Sequence, residues 1–150
     1  AAASRLLYET KKAMPDKTVM VYYLGAIGSG IPSVDGIEPG MFVDYAVADY
    51  GGTAAPMQGM TRKQCSGMSI ELNRGSGDSS ESTARSKKEA GYGYYMFFAL
   101  GHTTSLVNDF DDYRFQVGRC QSVARGLYDE ELLMPEYYYK KNDATRYKLP

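Results

Sequence analysis

The apolar positions of this chain change their spacing from one segment to the next. Leu6, Leu7 and Tyr8 define a short amphipathic helix over residues 1–14, which Pro15 ends because the residue before a proline is pushed out of the α region. Val19 to Leu24 is an unbroken apolar run; it fits a buried strand or a short buried turn of helix, since periodicity does not separate the two. Between Gly25 and Gly40 the glycines, Pro32 and Pro39 argue against helix. Val43, Tyr45 and Val47 alternate within Phe42–Tyr50, as a short strand requires, and Gly51-Gly52 closes it. From Pro56 onward Met57, Met60, Cys65, Met68 and Leu72 fall near helical spacing. A helix is expected there, although Gly59 and Gly67 each cost about 1 kcal/mol relative to Ala.

Residues 73–86 are small and polar and read as a linker. After it, Phe110, Tyr113, Val117, Cys120, Val123 or Ala124, and Leu127 recur at steps of three and four, the pattern of an amphipathic helix. Asn108 or Asp109 would cap it, and Asp111 and Asp112 lie in its first turn, where carboxylates favour the helix dipole. A short helix is expected to begin near Asp129, bounded by Pro135. The tail from Tyr137 to Pro150 is polar and aromatic without a core pattern, as a segment lying on a partner or on the body would be.

One pattern spans the whole chain. Lys11-Lys12, Met20, Leu24, Gly25, Ser29 and Asp35 return 76 positions later as Lys87-Lys88, Met96, Leu100, Gly101, Ser105 and Asp111. A common residue type fills roughly one position in fifteen, so seven coincidences suggest an internal duplication. The halves would be 1–75 and 76–150, the second ending in the Tyr-rich tail. The fold class expected is mainly α, duplicated, with long irregular connections. An α+β fold is the alternative, because 19–24 and 42–47 can pair as strands.

Composition narrows the classes. With 17 basic and 18 acidic residues the net charge is −1, so there is no cationic excess to neutralise phosphates and no nucleic-acid partner is expected. No apolar run approaches the roughly 18 residues of a membrane span. Fourteen Tyr and eight Met, with no Trp, suit contact surfaces as well as cores. The chain begins Ala1-Ala2-Ala3-Ser4 without Met, as a mature chain does after loss of a targeting segment, and as a fragment does too.

Candidate chemistry centres on the two cysteines. Arg119 precedes Cys120, with Arg114, Arg125, Asp109 and Asp112 near in sequence; Cys65 follows Arg62 and Lys63. A neighbouring cation stabilises a thiolate, which suits a tethering sulfur. Two buried free thiols and one Cys65–Cys120 disulfide remain open alternatives. Asp109-Phe-Asp-Asp112 is explained by helix capping more simply than by a metal. His102 beside Ser105 lacks a nucleophile elbow, and Gly25-Ala-Ile-Gly-Ser-Gly30 lacks dinucleotide-loop spacing, so no enzyme is expected.

The duplication, the processed-looking start, the Arg/Lys-flanked Cys65 and Cys120 and the abundant Tyr, Met and Gly resemble the chromophore-bearing γ subunits, or linker subunits, of red-algal phycoerythrin. That resemblance implies a covalently attached bilin, phycoerythrobilin or phycourobilin, on each cysteine, with arginines pairing propionates and aspartates accepting pyrrole N–H groups. It also implies a seat in a phycobiliprotein alpha/beta hexamer beside other linker subunits, on the stromal face of the chloroplast thylakoid. The alternatives are a structural or docking subunit without pigment, or a secreted binding module with one disulfide.

Overall fold

The first amphipathic pattern forms α1 (Ala2–Ala13), whose last turn carries Lys11 and Lys12 where cations meet the negative end of the helix dipole. Lys11 bonds Asp44 Oδ2 at 2.9 Å, and Asp44 accepts the Val19 N–H at 2.7 Å, which ties the helix to the strand that follows. These details come from a computed structural model that describes residues 2–23, 31–49, 51–100 and 110–132. The run from Val19 resolves as a strand, β1 (Met20–Tyr23), and the alternating segment as β2 (Tyr45–Ala48). They pair in parallel, Met20 beside Tyr45 through Tyr23 beside Ala48.

The helix expected over 57–72 is not formed. Its second half is a strand, β3 (Ser66–Glu71), preceded by a 3-10 turn at Arg62–Gln64 that Thr61 and Gln64 close with a capping box. Ser66, Gly67, Ser69, Ile70 and Glu71 are all buried. A strand enclosed on both faces loses the two-residue alternation that would have revealed it. Met57 and Cys65 do reach the core, but from a loop and from the extended residue just before β3.

The stretch read as a linker contains the start of α2 (Glu81–Glu89). Caps make this helix: Ser80 Oγ accepts the Thr83 N–H at 3.3 Å, while Asp78 accepts the Ser80 N–H at 2.8 Å and the Thr83 hydroxyl at 2.6 Å. Only Ala84 of α2 is buried, which is why its sequence looks like linker. It lies on α3 (Phe110–Tyr128) at Gly126, where a Cβ would stand 2.4 Å from the Glu81 carbonyl oxygen and 2.6 Å from Ala84 Cβ. The helices cross this closely because Gly126 has no side chain. α3 follows the period read from sequence, but residues 129–132 are not helical, so no second helix begins at Asp129. The Tyr-rich tail lies outside the described residues, as do His102, Ser105 and Gly25–Gly30.

β4 (Tyr94–Phe98) pairs in parallel with β3, and a single parallel bridge, Ala46 with Cys65, joins the pairs β1–β2 and β3–β4. The Tyr94 hydroxyl reinforces the junction, reaching the carbonyls of Ala46 at 2.7 Å and Gln64 at 3.2 Å. Past this point the strands diverge. Gly52–Ala54 lies along β3 instead, with the Ser69 N–H donating to Gly52 and the Ala54 N–H to Ser66, both at 3.0 Å. Parallel strands in chain order, with helices packed on one side, are the arrangement that (β/α) barrels repeat.

This overturns the mainly α, duplicated fold; mixed helix and strand agree with the α+β alternative. The recurrence at 76 positions coincides with a local unit, since α1 leads into β1 as α2 leads into β4. Two units built alike share a lysine-ended helix and a strand with methionine in it. The two apolar clusters follow the strand pairs. Val19, Val21, Phe42, Val43, Ala46 and Cys65 belong to one; Ile70, Leu72, Ala84, Val123 and Leu127 belong to the other.

Candidate functional site

Parallel strands bring their carboxyl ends to one side, the usual location of ligand sites in such sheets. Side chains alternate between the faces, and the register shift between Ser66 and Ser69 moves β3 by one step, so Tyr22, Val47, Asp49, Ser69, Glu71, Met96 and Phe98 share the face away from Ile70 and its helices. Near the end of β1 the Tyr22 hydroxyl donates a short hydrogen bond to Asp49, the residue after β2; both are half-buried. At the end of β3 stands Glu71, with 4% of its side chain exposed. Its Oε2 is enclosed and accepts no hydrogen bond; Arg74 Nε lies 3.7 Å away. Ser69, one step earlier on that face, sits with its hydroxyl 3.9 Å from Met96 Sδ.

The backbone around these groups is held firmly. Arg119, buried on α3, donates to the carbonyls of Glu71 at 3.3 Å, Ser76 at 2.8 Å and Gly77 at 2.9 Å, and to Ser79 Oγ at 3.0 Å. Gly77 lies so close to β3 that a Cβ would stand 2.4 Å from the Ser69 carbonyl oxygen. Ala99, directly after β4, has φ 61°, a left-handed conformation that costs a non-glycine residue roughly 1–2 kcal/mol. Such strain concentrates at functional sites.

The residues singled out from sequence fall in different places. Cys65 lies in the first cluster and Cys120 packs on the second; both are free thiols, so no disulfide joins them. Burial pushes both thiols up, and at Cys120 it outweighs the opposing effect of Arg119. Arg119 is spent on loop carbonyls, and burial lowers its own pKa. Arg114 and Arg119 line one open cleft of about 580 Å³ between the start of α2 and α3. Arg62 donates to the Ala90 carbonyl at 3.1 Å and lies over the Tyr92 ring, and Lys63 is exposed at the other end of β3. Asp109 lies outside the described residues; Asp112 is in the first turn of α3. Among the described residues, no group of three or more His, Cys, Asp or Glu could hold a metal, and no helix is long and apolar enough to cross a membrane.

Sequence reading missed Tyr22, Asp49 and Glu71. Asp49 before Tyr-Gly-Gly at a strand end was the available signal; Glu71 was hidden by the helix expected around it.

No protein-family model matches the chain. The chain is nevertheless similar to bacterial endo-β-N-acetylglucosaminidases, which are glycoside hydrolases. Two solved structures of Bacteroides thetaiotamicron EndoBT-3987, one with Man5GlcNAc product and one with Man9GlcNAc2Asn substrate, match it at 42% identity and a TM-score of 0.76. The match covers 94% of this chain and 31% and 34% of those chains. Endo-β-N-acetylglucosaminidase F1 of Elizabethkingia meningoseptica is 35% identical over 144 residues, 94% of this chain. The chain spans 41% of the length of that relative.

These likenesses overturn the phycoerythrin resemblance and what it implied. The relatives are glycan-cleaving enzymes of bacteria, so the expectations of a bilin, a phycobiliprotein hexamer with other linker subunits, a chloroplast thylakoid setting and a non-enzymatic light-harvesting role all fall. The pigment-free structural subunit is not favoured either. The physical reason for the error lies in the structure: Arg62 and Arg119, the cations that most suggested a tether, are engaged with backbone carbonyls.

Proposed function

We propose that this chain forms part of an endo-β-N-acetylglucosaminidase that hydrolyses N-linked oligomannose glycans, with the glycan lying across the carboxyl ends of β1–β4. One observation carries the reading: 42% identity at a TM-score of 0.76 to EndoBT-3987, solved with Man9GlcNAc2Asn substrate. A substrate with two GlcNAc units and a product with one place the cut of that enzyme between them. In such a hydrolysis, water adds its hydroxyl to the anomeric carbon and the departing sugar oxygen takes up a proton. The bond requires proton donation to the leaving oxygen and stabilisation of positive charge at the anomeric carbon. Tyr22, oriented by Asp49, offers a fixed hydroxyl for sugar hydroxyl or acetamido groups.

The test is to incubate the full-length protein carrying this chain with Man9GlcNAc2Asn and to identify products by mass. Man9GlcNAc and GlcNAc-Asn are expected. Stepwise loss of single mannoses, or an unchanged substrate, would refute the reading.

A further inference from the structure

Carboxylates are almost never fully buried unless paired, and a polar group left unmade in the interior is costly. Glu71 violates this at the carboxyl end of β3. Its Oε2 is enclosed without a hydrogen bond, and the Arg74 guanidinium at 3.7 Å stands beyond hydrogen-bonding distance. The position is also over-determined. The Glu71 N–H donates to the Ser76 carbonyl at 3.1 Å, the Glu71 carbonyl accepts from Arg119, and Gly77 packs on the backbone of Ser69 and Ile70. A strand end held by its neighbours thus carries a carboxylate whose enclosed Oε2 accepts no hydrogen bond. Stability alone does not account for that arrangement, because a buried charge with a loose partner costs more than it returns.

We propose that Glu71 is a substrate-positioning residue whose carboxylate accepts a hydroxyl hydrogen from a sugar of the bound glycan. The Arg74 side chain, 59% exposed, is the resting partner that yields to the sugar. At 3.7 Å this pair makes no hydrogen bond, so exchanging it for a charge-assisted hydrogen bond favours the complex. Glu71 shares its face with Tyr22 and Asp49 at the next strands, so a sugar chain crossing the ends would meet all three. Sugar hydroxyls are donors that a carboxylate can fix in direction, which positions the chain for cleavage elsewhere along it. The proposal rests on the glycosidase reading given above.

The experiment uses the full-length protein, with Man9GlcNAc2Asn as probe, and compares wild type with Glu71→Gln and Glu71→Ala. Titration calorimetry with the product Man9GlcNAc gives the Kd, steady-state kinetics on Man9GlcNAc2Asn give kcat and KM, and thermal unfolding reports the fold. Glu71→Gln keeps the shape and removes the charge, so its Tm should equal or exceed that of wild type while KM and Kd rise about tenfold and kcat holds. Glu71→Ala should weaken binding further. A Glu71→Gln variant with wild-type KM and Kd, whether or not its Tm falls, assigns Glu71 a structural role and overturns the proposal while leaving the glycosidase reading intact. A wild-type protein that neither binds nor cleaves the glycan sinks that reading, and this proposal with it.

Discussion

Replacing Arg119 by Met tests whether the arginine near Cys120 is a structural anchor. The side chain is buried and donates to the carbonyls of Glu71, Ser76 and Gly77 and to Ser79 Oγ. Ser76 keeps a second donor in the Glu71 N–H, and Glu71 keeps one in the Arg74 N–H at 3.4 Å, so the loss falls on Gly77 and Ser79. Each buried carbonyl deprived of its donor costs about 1–3 kcal/mol. Burial penalises the guanidinium itself, as its lowered pKa shows, and removing it recovers part of that cost. Gly77 and Ser79 are only partly buried, so the net loss is about 1–2 kcal/mol, a fall in Tm of roughly 5 °C. Arg119→Lys should do little better, since one ammonium cannot reach acceptors spread from residue 71 to 79. Calorimetry measures the Tm, and amide exchange should show protection lost first over residues 72–77. If Arg119→Met melts within about 2 °C of wild type, the anchoring argument fails.

Two further outcomes follow from local chemistry. The Thr83 hydroxyl and the Ser80 amide hold the Asp78 carboxyl below its usual 3.8. A depressed carboxylate stabilises the fold above its unfolded pKa, and that contribution is lost as pH falls through the folded one. Asp78→Asn should therefore flatten the decline of Tm below about pH 4, and an unchanged acid limb would count against the cap. Burial raises Cys65 and Cys120, so neither should react with a disulfide reagent at pH 8 until the protein unfolds, as peptide masses would show. Rapid native labelling of Cys120 would show that Arg119 governs the thiol after all.

The sequence made α1 and α3 legible because each packs one face and leaves the other to water, which imposes a period, and β2 legible through the alternation of Val43, Tyr45 and Val47, although both its faces are largely buried. It concealed β3, where serines, a glycine and Glu71 are enclosed on both sides and no period survives. It concealed α2 as well, because the helix is held by caps at Asp78 and Ser80 and by polar contacts from Glu81, Arg85 and Lys87, and buries Ala84 alone. Parallel pairing left no local trace, since β1 and β2 meet across more than twenty intervening residues. The site was illegible for the same reason: Tyr22 and Asp49 become neighbours only through that pairing. The cysteines drew attention because they were few, and rarity is not chemistry.

The strip from Gly51 to Ala54 works as a spacer in a fork. β2 and β3 touch at Ala46 and Cys65, and beyond that point the strip keeps their tips apart, with Gly51 against Gly77 at its crotch. The gap between the Asp49 and Glu71 tips is thereby set by a few small residues that belong to neither ladder. Insertions or bulkier side chains there would widen the fork and move the Asp49 and Glu71 tips apart, with both strand pairs left as they are.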